Sequence, residues 1–137
     1  MLQKILLLIG SLFIITSLVS SSCTKPPSIA DYTNAGGYVI AKEICNPNDA
    51  DDYWLVDLTY YPDTPQYGDT LTLNSITYTN VIKTKGLAAR LKQIGMRVSL
   101  DFKTVTPNKI ETTGCTVTTP VTYRLKELFI INQGEIR

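Results

Sequence analysis

Helical periodicity occurs only once in this chain. Within Gly86 to Gly95 (GLAARLKQIG), Leu87, Leu91 and Ile94 recur at spacings of four and three with good helix formers between them, and Gly95 stands where a helix is capped. Everything else from Tyr38 onward is short β-type runs divided by turn clusters, so the chain must bury its apolar residues mainly in sheet. Met96, Val98, Leu100 and Phe102 alternate with Arg97, Ser99, Asp101 and Lys103, the pattern of a half-buried strand. Tyr38 to Cys45 and Tyr53 to Tyr61, joined by the turn-rich Asn46 to Asp52, predict an antiparallel hairpin with Trp54, Val56, Leu58 and Tyr60 on one face. After Pro62 to Asp69 breaks the chain, Thr70 to Leu73 and Ile76 to Thr79 flank Asn74-Ser75 as a second turn, with Val81 and Ile82 able to extend the strand. Thr104 to Pro120 is rich in threonine and turns. Val121 to Ile131 predicts a last strand, bulged near Lys126-Glu127 where the alternation shifts phase.

The N-terminus carries an export signal. Met1 to Lys4 supplies a short positive start, Ile5 to Val19 an apolar run, and Ser20-Ser21-Ser22 a small-residue stretch before Cys23. A membrane-spanning helix needs about 20 apolar residues, more than this run provides. Serine followed by cysteine at such a place resembles the lipobox of bacterial lipoproteins, in the relaxed form of one group of Gram-negative commensals. That resemblance implies acylation of Cys23 and anchoring to the outer membrane. The alternative is a plain secreted protein cut at the same bond, with Cys23 free or in an intermolecular bridge. Residues 1–22 are thus read as signal peptide, 23–36 as a flexible tether containing two prolines, and 37–137 as the folded domain. No acidic cluster follows Cys23, which favours the periplasmic face over surface display and leaves the choice open.

Cysteine arithmetic agrees with lipidation, because three cysteines in an exported chain leave an odd thiol unless one has a separate role. Cys45 and Cys115 then remain as a disulfide pair. Closing a loop of about 70 residues contributes on the order of 4 kcal/mol in the chain-entropy account. Neither cysteine lies in a C-x-x-C motif, so a structural staple is favoured over a redox function.

Composition removes several chemistries. There is no histidine, which excludes Ser-His-Asp and Cys-His catalysis and histidine-bearing zinc sites. Loss of Lys4 with the signal leaves basic and acidic groups equal in number, so no one-sign surface for nucleic acid is expected. Lys83, Lys85, Arg90, Lys92 and Arg97 form the only basic concentration and read as a solvated polar face. Asn46, Asn48, Asp49, Asp51 and Asp52 gather oxygens as a calcium loop would, but without EF-hand spacing, so they read as a solvated turn. Asp57 and Asp101 offer no placement against each other that would make a glycosidase pair. No metal or other cofactor is expected.

The order of three strands, one short helix ending in glycine, then two strands resembles the OB-fold, carried mainly by GLAARLKQIGMRVSLDF. The expectation is a mainly β fold, a five-stranded OB-like Greek-key barrel with a helix between strands three and four; a small β-sandwich or up-and-down barrel is the alternative. Together with the lipobox, the chain resembles the N-terminal OB domain of NigD-like lipoproteins. Those proteins carry a second β-domain, for which this chain has no room. OB-folds stack ligands on aromatic side chains of the barrel face, and here Tyr60, Tyr61 and Tyr67, beside a loop, are the expected exposed set. The resulting functional expectation is a non-enzymatic, lipid-anchored envelope module that binds protein or glycan. The rival is a protective lipoprotein that blocks a hydrolase with the loop Asn46 to Asp52 or Pro62 to Asp69.

Overall fold

The computed structural model describes residues 29–105 and 114–137. Six strands form one antiparallel sheet: β1 (Tyr32–Lys42), β2 (Trp54–Asp57), β3 (Asp69–Leu73), β4 (Ile76–Thr84), β5 (Arg97–Thr104) and β6 (Leu128–Glu135), in the order β3-β4-β2-β1-β5-β6. The protein is mainly β, as its periodicity predicts. The strand count is six where five are expected, because both arms of the Asn74-Ser75 hairpin are strands in their own right. Asn74 and Ser75 both take positive φ (49° and 66°), the conformation of a tight two-residue hairpin turn.

Two clusters of apolar side chains cover the two faces. The larger joins Ala35, Val39, Trp54, Val56, Leu58, Ile82, Val98, Leu100, Phe102, Leu128 and Ile130 with Leu87 and Leu91. On the opposite face Leu55, Val81 and Leu125 pack with Ile40, Ala41, Leu71, Tyr78 and Tyr123. Leu125 and Tyr123 pack with Leu55 on that second face, so the alternation of β2 does not mark an exposed side.

Four expectations are corrected. The expected tether ends before β1, since Tyr32 to Gly36 already pair with β5. Asn34 makes this possible: it takes φ +57°, its N–H donates to Asp101 Oδ1 and its Oδ1 accepts from Ser99 Oγ. The expected helix is reduced to a single 3-10 turn, Ala89–Leu91. Leu87 and Leu91 do turn inward, but the backbone bonds go elsewhere. Ala88 N–H donates to Gln133 Oε1, Gln133 Nε2 donates to Gly86 O, and Gly95 N–H donates to Val39 O, leaving Ile94 65% exposed. The last strand begins at Leu128, not Val121. Upstream of it, Val121 exchanges backbone bonds with Ile44, Tyr123 N–H donates to Glu43 Oε1 and Lys126 N–H to Asp69 Oδ2, so side chains replace the ladder. The first hairpin pairs as expected, but β1 stops at Lys42 and β2 at Asp57.

The sulfurs of Cys45 and Cys115 are 2.11 Å apart and their Cα atoms 4.5 Å. The pair fastens the start of the 114–127 segment to the end of β1, where Thr116 N–H also donates to Cys45 O. Cys23 lies outside the described residues.

Candidate functional site

The loop after β2 is organised by two buried polar side chains. Asp57, 5% exposed, accepts from Asn80 N–H at Oδ1 and from Thr59 Oγ1 at Oδ2. Asn80, 3% exposed, accepts from the N–H groups of Tyr67 and Gly68 and donates to Pro65 O. A buried carboxylate and amide with all but one of these contacts directed at backbone act as the frame of a loop. Asp101 is likewise engaged, by Asn34 N–H and Asn132 Nδ2, so the two aspartates belong to separate hydrogen-bond sets.

That frame presents a row of rings. Tyr60 lies 5.4 Å from Tyr38 and 4.9 Å from Tyr61, centroid to centroid, in tilted and edge geometries. The row rests against Gly36, where a Cβ would come within 2.6 Å of Tyr61 Cδ2 and 2.9 Å of Tyr60 Cδ1. Only glycine lets the rings lie this close to the strand. Tyr38 and Tyr61 are each a little over a third exposed. Tyr67 does not belong to the row. Its ring is 5.4 Å from Tyr32 and 5.0 Å from Phe102, it packs on the main cluster, and its hydroxyl pKa is raised first by that burial. The correction has a simple cause, since its partner Tyr32 lies in the segment read as tether. Tyr38, unassigned from sequence, takes its place.

Recesses open at the two ends of the row. At the Tyr61 end, Leu58, Thr59, Pro62, Thr64, Gln66, Thr79 and Asn80 line a cleft of about 200 Å³. At the Tyr38 end, Val39, Ile40, Tyr78, Ile94 and Gly95 line an apolar groove of about 280 Å³.

The other candidates are structural. Asp52, 1% exposed, accepts at Oδ1 from the N–H groups of Cys45 and Asn46 and from Asn46 Nδ2, and Asn48 Oδ1 accepts from Ala50 N–H, so the acidic loop spends these oxygens on its own turn. Among the described residues no group of three metal-ligating side chains is placed to hold an ion. The basic concentration is not a common face. Lys83 is fully buried, donating to Glu43 Oε1 (2.9 Å) and Tyr123 O (2.7 Å), while Lys92 donates to Ala50 O and Lys85 lies over Tyr53. The Glu43–Lys83 pair was not marked by sequence reasoning; the only cue is that each charge interrupts a β-branched run. Beside it, burial first and then the charge of Glu127 push the Tyr53 hydroxyl up to about 12.

No family model matches the chain, and no curated protein or solved structure matches it either.

Proposed function

We propose that this chain is a lipid-anchored binding module of the bacterial envelope, held to the outer membrane through Cys23 and performing no catalysis of its own. The observation that carries the reading is the ring row Tyr38-Tyr60-Tyr61, partly exposed between a polar cleft and an apolar groove. Aromatic side chains held half in solvent on a rigid frame are a common basis for recognition. An OB-like barrel is supported by strand order. With β3 set aside as an insertion, the strands run β4-β2-β1-β5-β6, and a parallel bridge between Lys83 and Glu127 brings the two ends together. The row lies on β1 and the loop after β2.

The test has two arms. Metabolic labelling with a fatty-acid analogue tags the wild type and not Cys23→Ala; equal labelling of both removes the anchor from the proposal. Capture from envelope extract weakens by about 1 to 3 kcal/mol for each ring of the row that stacks on the ligand when it is replaced by Ala. Capture indifferent to all three rings removes the site.

A further inference from the structure

The cleft beside Tyr61 differs in chemistry from the groove beside Tyr38. Its eight lining residues, Leu58, Thr59, Tyr61, Pro62, Thr64, Gln66, Thr79 and Asn80, include no charged side chain. A nucleotide, a phosphate or an acidic peptide would have to leave water without a counter-charge there. What the lining offers is hydroxyl and amide groups with one aromatic wall. Thr59 Oγ1 donates to Asp57 Oδ2 and so retains acceptor capacity toward its surroundings. Gln66 commits its Nε2 to Gly68 O and Thr79 O, which fixes its oxygen as the remaining acceptor. Thr64 is the unusual member. Its N–H donates to Tyr61 O, and its Oγ1 is buried with no hydrogen-bond partner among the described residues. A buried hydroxyl without a partner destabilises a fold, and this one belongs to a residue of the cleft wall.

We infer that this cleft takes one ring of a neutral carbohydrate, with the apolar face of the sugar on Tyr61 and its hydroxyls on Thr64, Thr59 and Gln66. The inference rests on the binding-module reading and deepens it. Sugar hydroxyls both donate and accept, as this lining requires, and a volume of about 200 Å³ suits a single pyranose ring better than a stretch of peptide. Gly36 sets the depth of the site, since it allows the Tyr61 ring to lie down on β1.

The full chain in a detergent without a sugar headgroup is titrated with neutral hexose oligosaccharides, and amide shifts are followed by NMR. Shifts centred on Tyr61, Thr64 and Gln66 support the inference, together with a loss of affinity of about tenfold or more in Tyr61→Ala. Thr64→Val separates ligand recognition from structure. The inference expects affinity to fall about three- to tenfold while the melting temperature holds or rises, because the orphaned hydroxyl is removed. A lower melting temperature in Thr64→Val, with unchanged affinity, overturns the assigned function of that hydroxyl and with it the inference. Phe129→Ser, at an exposed position on β6 away from the cleft, leaves the titration unchanged. If no neutral sugar moves these amides while envelope extract still yields a partner dependent on the ring row, the sugar inference falls and the module reading stands. If both fail, both fall.

Discussion

Lys83 and Tyr53 show how much of this fold is decided by single polar side chains. Two charges taken wholly out of water meet each other, and Tyr123 turns its carbonyl to Lys83 and its N–H to Glu43. Tyr53 closes this group, its ring 4.7 Å from Lys83 Nζ and its hydroxyl bonded to Glu127. Its pKa is about 12 in the folded protein against an ordinary 10. A raised pKa favours the protonated phenol, so this contribution to stability is complete below pH 10 and is lost as pH rises toward 12. Urea unfolding across that window should show stability falling in wild type and falling less in Tyr53→Phe. Absorbance titration should show a late-ionising tyrosine that the substitution removes; equal slopes in the two proteins would contradict the assignment. None of this grouping was legible in sequence. Glu43, Tyr53, Lys83, Tyr123 and Glu127 come from separate segments, and a charge inside a β-branched run reads as solvated until its partner is known.

At the scale of elements, legibility followed locality. The alternation of Met96 to Lys103 predicts β5 because burial of Val98, Leu100 and Phe102 is written in adjacent residues. The Asn74-Ser75 turn was legible for the same reason. The segment after β4 was misread because its competitor is distant: Gln133, on β6, occupies the Gly86 carbonyl that a helix beginning there would have used. Tyr67 was misplaced by the same kind of long-range partner, and Tyr38 was overlooked because nothing near it in sequence reveals the rings that settle beside it. The local signals support a direct prediction. Ser75 holds φ +66° with a Cβ, which costs about 1 kcal/mol relative to glycine, part of it offset by the greater freedom of glycine in the unfolded chain. Ser75→Gly should stabilise the protein by about 0.5 kcal/mol, read as a higher urea midpoint at unchanged slope. A fall in the midpoint would mean that the turn is set by more than its backbone.

For the whole molecule the question is what keeps the second face of the sheet covered. Residues 121–127 form no continuous ladder, and they are held by the Cys45–Cys115 pair, the Ile44–Val121 bridge, Glu43 and Asp69. Leu125 depends on that placement to cover Leu55 and Val81. The pairing of the cysteines was legible from their number, but not what the bridge secures, since the segment's covering position has no signature in its own residues. A separation of 70 residues gives the closed loop an entropic contribution on the order of 4 kcal/mol, large against the 5 to 15 kcal/mol typical of a folded domain. Cys45→Ala/Cys115→Ala should therefore lower the unfolding free energy by about 2 to 5 kcal/mol. Hydrogen exchange locates the change. The amides of Thr116, Val121, Tyr123 and Lys126 should lose protection first, while Val98, Leu100 and Phe102 in β5 exchange only through global opening. Uniform loss of protection across both groups would instead make the 114–127 segment part of a single cooperative unit with the main core, and would refute the view that the bridge secures a separately fastened cover.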